Sequence, residues 1–119
     1  MARLTLFAAR NFGNRRLQIR RRGLAIRNMS AIRFNNDLSS FRLRREDAAN
    51  ATLVLFSQAN YQGSFRVFRG NAAVANLSNF DFNNRTSSLI FILRNLTDAQ
   101  IRNIQSNRRA PRGIAEIRR

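Results

Sequence analysis

The chain has 119 residues, of which 44% are hydrophobic, enough for one domain or for two very small halves sharing a core. It contains neither Cys nor His, which removes disulfides, the usual zinc ligands, the commonest general base and any Ser-His or Cys-His nucleophile pair, so the sequence argues against an enzyme. All 22 basic residues are Arg, opposed by 6 acids for a formal charge of +16; such a field attracts polyanions, and it also keeps a small protein soluble and monomeric.

The opening Met1-Ala2-Arg3-Leu4-Thr5-Leu6-Phe7 runs at once into charged and polar residues. Neither a signal peptide nor a membrane-spanning segment is expected, and a cytoplasmic location follows by default. Leu4 to Ala8 reads as a strand, followed by Arg16 to Arg20 with alternating Leu17 and Ile19, a short stretch near Ile26, and Ser39 to Leu43. The polar, small-residue segment from Arg44 to Ala51 is a connector that fits either a hairpin or a turn of helix.

The pattern then returns. Leu53-Val54-Leu55-Phe56 lines up with Leu4-Thr5-Leu6-Phe7, and Asn60-Tyr61 with Asn11-Phe12; further on, Asn76-Leu77-Ser78 matches Asn28-Met29-Ser30, and Phe82-Asn83-Asn84 matches Phe34-Asn35-Asn36. The chain reads as an internal duplication, about residues 3–43 and 52–93, the second half containing alternating Phe65 and Val67, a short stretch near Val74, and a strand from Ser87 to Leu93. Short strands at this spacing predict a β-sandwich. Beyond them lies a basic extension, residues 94–119. There Thr97 is a helix N-cap with Gln100 three residues on, and Ile101 and Ile104 follow at helical spacing, predicting a short helix over about 98–105. The stretch from Ser106 to Gly113 should break that helix, and Ile114 to Arg119 should either add an edge strand or hang loose.

Two loops concentrate oxygen. Phe34-Asn35-Asn36-Asp37-Leu38-Ser39-Ser40 and Phe82-Asn83-Asn84-Arg85-Thr86-Ser87-Ser88 both carry Asn-Asn-x-x-Ser-Ser, whose carbonyl, amide and hydroxyl oxygens suit a hard cation such as calcium. The same residue types also bond turn backbone with no metal present. Phe7, Phe12, Phe56 and Tyr61 read as hairpin braces and core. Aromatics interleave with Arg, as a nucleic-acid stacking platform would need, only in Phe65-Arg66-Val67-Phe68-Arg69, and strand alternation accounts for that.

Phe56, Tyr61 and Gly63 give an aromatic, four residues, an aromatic, one residue and Gly, and the same repeat closes on Asn-Asn-x-x-Ser-Ser. The combination resembles the Greek key motif of βγ-crystallins, particularly the microbial calcium-binding members. The first repeat follows it through Phe7, Phe12 and Asn35 to Ser40, with Asn14 where the second has Gly63. The resemblance covers residues 3–93 and implies an all-β sandwich of two Greek keys within residues 1–93, with a short C-terminal helix beyond. It also implies calcium held between the paired loops. One site would use the Asn36 backbone and the Asp37 side chain with Ser87, the other Asn84 and Arg85 with Ser39, and backbone carbonyls near Ala8 and Ser57 would complete the shells. Asn35, Asn83, Ser40 and Ser88 would brace the loops. Asp37 is the only carboxylate in either loop, and the Arg85 guanidinium offers no oxygen, so the second site is expected to be weak or dead. The competing expectation on the same fold is a polyanion-binding module, for nucleic acid or acidic polysaccharide, using Arg15, Arg16, Arg20, Arg21, Arg22 and the tail Arg. A monomer is expected, or a dimer formed by exchanging one half.

Overall fold

In the computed structural model the described residues are 3–9, 11, 13–19, 23–32, 38–44, 51–69, 72–77, 82, 85–92, 94–111 and 114–117. The chain forms β1 (Arg3–Ala9), β2 (Gly13–Ile19), β3 (Gly23–Ile26), β4 (Ser40–Arg44), β5 (Thr52–Gln58), β6 (Gln62–Arg69), β7 (Ala72–Val74), β8 (Ser88–Ile92), α1 (Asp98–Asn107) and β9 (Ala115–Ile117). The strands make two sheets, one ordered β2-β1-β4-β7 and the other β6-β5-β8-β3-β9. The third strand of each half therefore lies in the sheet of the other half: β3 pairs with β8, and β7 pairs with β4.

Alternation along the strands builds the core between the sheets. Leu4 and Leu6 of β1 and Phe41 and Leu43 of β4 turn inward against Leu53, Leu55, Leu89 and Phe91 of β5 and β8, all essentially without solvent exposure. Each such side chain contributes about 1.5–3 kcal/mol of transfer free energy on burial. On β6, Phe68 reaches this core and meets Phe41 edge to face, ring centroids 4.9 Å apart, while Phe65 and Val67 pack on the opposite face of the strand.

That opposite face distinguishes the two sheets. Leu53-Val54-Leu55-Phe56 and Leu89-Ile90-Phe91-Ile92 are unbroken apolar runs, and strands with such runs need cover on both faces. The cover comes from the C-terminal residues: Leu96, Ile101 and Ile104 pack against Val54, Phe56, Ile90 and Ile92 as a second core. Within α1 the box at Thr97 is complete, its Oγ1 accepting from the Gln100 N–H at 3.2 Å and the Gln100 Oε1 accepting from the Thr97 N–H at 2.9 Å. The helix continues through Ser106 and Asn107, further than the expected 105, and stops where Arg108 enters the left-handed region, φ 54° and ψ 39°. The last strand is ordered as an edge, β9 pairing with β3 in parallel. No helix among the described residues is long and apolar enough to cross a membrane.

The remaining boundaries differ from expectation in small ways. Strand β2 begins at Gly13 rather than Arg16, because its ladder with β1 starts at Ala9 and Gly13, directly after the hairpin. Strands β4 and β8 start at Ser40 and Ser88, one residue later than expected, since the preceding serines make cross-repeat hydrogen bonds in place of ladder pairs. Most of the connector, residues 45–50, lies outside the described residues.

Candidate metal centre

Each half carries a bulge at the same place. The β1–β2 register shifts between Phe7 and Ala9, and the β5–β6 register shifts between Phe56 and Gln58, which puts Ala8 and Ser57 on the bulged positions. A bulged residue falls out of the regular ladder, so its backbone is aimed differently from its neighbours'. The tight turns after the bulges use left-handed backbone at Asn11 (φ 58°) and at Asn60, Tyr61 and Gly63 (φ 60°, 61° and 84°). Gly63 is required twice over, because a Cβ there would also run into Ser57 Oγ.

The serines expected to serve as ligands sit beside these bulges. The Ser39 N–H donates to the Phe7 carbonyl at 3.0 Å, and the Ser87 N–H donates to the Phe56 carbonyl at 2.8 Å. Their own carbonyls accept from the opposite half, Ser39 from the Leu77 N–H at 2.9 Å and Ser87 from the Met29 N–H at 2.7 Å. Each serine is thus fixed on one side to its own bulge and on the other to the exchanged part of the chain. The hairpins are tied the same way, the Asn11 N–H to the Ala75 carbonyl at 2.7 Å and the Asn60 N–H to the Arg27 carbonyl at 2.8 Å. Ser39 is buried and Ser87 half-buried.

Ser88 braces the second hairpin. Its hydroxyl donates to the Gln58 carbonyl at 2.6 Å and accepts from the Tyr61 N–H at 3.0 Å, holding the turn against the start of β8. Phe56 and Tyr61 close that corner edge to face at 5.7 Å. Ser57 uses its hydroxyl within the hairpin, accepting from the Ser64 N–H at 2.9 Å, which leaves the backbone carbonyl as the atom it would offer a metal.

Asn36, Asp37 and Asn84, together with Asn35 and Asn83, lie outside the described residues. Arg85 is exposed, and its guanidinium stands over the Phe82 ring at 5.5 Å, with Arg66 over the same ring at 5.1 Å. Where one loop would need a ligand oxygen, a cation is engaged with an aromatic face. Beside it, the buried Thr86 hydroxyl has no hydrogen-bond partner among the described residues. The donors that the structure does place, Ser39, Ser87 and the bulges at Ala8 and Ser57, are all oxygen, which fits a hard cation. Among the described residues no group of three His, Cys, Asp or Glu is gathered, so nitrogen- and thiolate-loving metals have no place there. Of the expected ligand side chains, Asp37 lies outside the described residues, and Arg85 offers a cation in place of an oxygen.

The chain matches no protein-family model, and no curated protein matches it in sequence. Solved structures do match. A βγ-crystallin from Ciona intestinalis aligns at TM-score 0.58 with 17% identity, over 73% of this chain and 95% of that one. An archaeal βγ-crystallin aligns at 0.56 with 17% identity over 74% and 94%, and a βγ-crystallin domain from Clostridium beijerinckii at 0.55 with 13% identity over 75% and 95%.

The chain has the βγ-crystallin fold. The matches take in nearly all of each solved βγ-crystallin domain but about three quarters of this chain, so this chain carries structure beyond the shared fold.

One cluster went unforeseen in sequence and ties the C-terminal strand to the βγ-crystallin hairpin. The Tyr61 hydroxyl donates to Glu116 Oε2 at 2.6 Å, Arg27 Nε pairs with the same carboxylate at 3.3 Å, and Arg27 also donates to Asn60 Oδ1 at 2.9 Å and to the Arg108 carbonyl at 2.6 Å. Two side-chain-to-backbone bonds join α1 to the hairpin beside it, Gln62 Nε2 donating to the Gln105 carbonyl at 2.6 Å and Gln105 Nε2 to the Gly63 carbonyl at 2.9 Å. The only sequence signal was a lone Glu in an otherwise Arg-rich ending.

Proposed function

We propose that this domain is a non-enzymatic, structural βγ-crystallin-type module that binds one calcium ion between its two oxygen-rich loops. The observation that carries the reading is the matched pair of serines, Ser39 and Ser87, each hydrogen-bonded to its own bulge and to the opposite half. An ion at Ser87 would touch a residue already joined to both halves, so occupancy would resist their separation. The residues that would hold it are Asp37 by its carboxylate, Asn36 by its backbone, and Ser87, with a carbonyl from a bulge at Ala8 or Ser57. The counterpart set, Asn84, Arg85 and Ser39, would not bind, because Arg85 supplies a positive charge in place of an oxygen. When bound, calcium supplies a multivalent oxygen crosslink and no chemistry of bond making.

With one carboxylate and a net charge of +16 repelling the ion, the dissociation constant should lie in the weak range of extracellular modules, about 10⁻⁴ M. Binding only to the native state adds about 2.7 kcal/mol when free ion is a hundredfold above that constant. Thermal melts in millimolar calcium and in chelator should differ by several degrees, and Asp37→Ala and Ser87→Ala should each remove the difference while Arg85→Ala leaves it. Coincident melts of the unaltered protein would end the calcium reading.

A further inference from the structure

The two hairpins share a backbone pattern and differ in the side chains set against it. The Asn60 N–H donates to the Arg27 carbonyl at 2.8 Å, and at the equivalent place in the first half the Asn11 N–H donates to the Ala75 carbonyl at 2.7 Å. Two positions further on, the Met29 N–H donates to the Ser87 carbonyl at 2.7 Å and the Leu77 N–H to the Ser39 carbonyl at 2.9 Å. Arg27 has a side chain long enough to return to the hairpin; Ala75 does not. The same contrast holds at Tyr61, whose counterpart in sequence is Phe12, a ring without a hydroxyl. Both added groups converge on Glu116 of β9. The Tyr61 hydroxyl donates to its Oε2 at 2.6 Å and Arg27 Nε lies 3.3 Å from the same oxygen, with the Glu116 side chain 11% exposed. The Arg27 N–H also donates to the Ile117 carbonyl at 3.0 Å. Residue 27 is thus gripped by β9 through backbone and side chain together, two residues from the N–H that holds Ser87.

We infer that Glu116 is a positioning residue for the ion site at Ser87, and that docking of β9 and binding of calcium are coupled through Arg27. The inference rests on the calcium reading proposed above. A ligand held in place before the ion arrives binds it more tightly, because ordering that ligand on binding subtracts from affinity. The Ser87 carbonyl is held by the Met29 N–H, so freedom in the segment from Arg27 to Met29 passes to Ser87. Glu116 removes that freedom. Pairs between exposed charges hold little, but this carboxylate is nearly out of water and accepts from two donors at once. On the hairpin side, the Tyr61 N–H donates to Ser88 Oγ at 3.0 Å, so Glu116 reaches the neighbours of Ser87 from a second direction. Helix α1 supports the same corner, the Arg108 carbonyl accepting from Arg27 and the Gly63 carbonyl from Gln105. The added side chains stand in the half beside Ser87, the serine grouped with Asp37. Ser39, grouped with Arg85, has Ala75 and Phe12 at the corresponding positions. By linkage, whatever docking of β9 does for calcium affinity, calcium must do for docking of β9.

The test uses the full chain. Calcium is titrated calorimetrically, at constant ionic strength, into the parent, Glu116→Ala, Glu116→Gln and Asp98→Ala, the last removing an exposed carboxylate of α1 and so making the same change in net charge as the first. Glu116→Ala should weaken binding about fivefold or more, as is typical of coupled sites, while Asp98→Ala stays within about twofold of the parent. Glu116→Gln keeps an oxygen within reach of Tyr61 and Arg27 and should fall between Glu116→Ala and the parent. In the parent, calcium should slow hydrogen exchange of the Ala115 to Ile117 amides. In chelator, Glu116→Ala should speed exchange at Met29 and Asn60 and leave their counterparts Leu77 and Asn11 unchanged. If Glu116→Ala fails to fold, Tyr61→Phe takes its place, leaving the charge untouched, with the same direction of effect. Equal weakening by Glu116→Ala and Asp98→Ala would reduce the effect to charge and overturn the inference, as would an unchanged affinity in Glu116→Ala or faster exchange at both hairpins alike. Absence of calcium binding by the parent would instead overturn the proposed function itself, and the positioning role with it.

Discussion

Ser88 and Thr86 are two residues apart, both buried, and opposite in what their hydroxyls do. Ser88 joins Gln58 and Tyr61 across the folded hairpin, whereas Thr86 buries an oxygen that bonds to nothing described. A satisfied buried hydroxyl and an orphaned one have opposite signs in stability, because removing a partner strands the groups it served while removing an orphan relieves a desolvation penalty. Ser88→Ala should cost about 1–3 kcal/mol in urea unfolding, and Thr86→Val should be neutral or stabilising by up to about 1 kcal/mol. Equal destabilisation by both would contradict the hydrogen-bond assignment. At this scale the sequence tells unequally. The residue types that suit calcium and the bracing role of Ser88 are legible because they lie within seven-residue motifs. The pairing of Arg27 with Glu116 is not, since nothing local marks two residues so far apart in the chain as neighbours.

Among the elements, α1 was legible at its start and not in its purpose. Thr97 and Gln100 announce the N-terminus within four residues, and the strand positions follow from alternation to within a few residues. What α1 covers is written elsewhere, in the unbroken apolar runs of β5 and β8, which contrast with the alternating Leu4-Thr5-Leu6 and Phe41-Arg42-Leu43 of the other sheet. Reading both together would have placed a cover on the sheet of β5 and β8. The exchange of β3 and β7 leaves no local trace, because it depends on which distant strands pair. Since α1 completes a core and does not merely decorate it, Ile101→Ala should cost about 2–5 kcal/mol, and Thr97→Ala about 1 kcal/mol by loss of the cap. Calorimetry should show a single transition for both variants, with the larger fall in midpoint for Ile101→Ala; a small early transition belonging to α1 alone would mean that it is peripheral.

For the whole molecule, composition governs the response to pH. Neither His nor Cys is present, so no side chain has an ordinary pKa between about 6 and 8. The melting midpoint should stay within about 2 °C from pH 6 to pH 8, a plateau that scanning calorimetry at constant ionic strength would test.

The order in which the strands pair also sets a timetable. β3 belongs to the first quarter of the chain, yet its two neighbours are β8 and β9, the latter beginning at Ala115. A ribosome adding about 5–20 residues per second needs on the order of 5–20 s to travel from β3 to β9. Until β8 is made, Leu24, Ala25 and Ile26 have no strand to pair with, and until β9 is made their other edge stays open. The early half of the protein cannot be completed as it is made, and the molecule closes only when its last strand arrives.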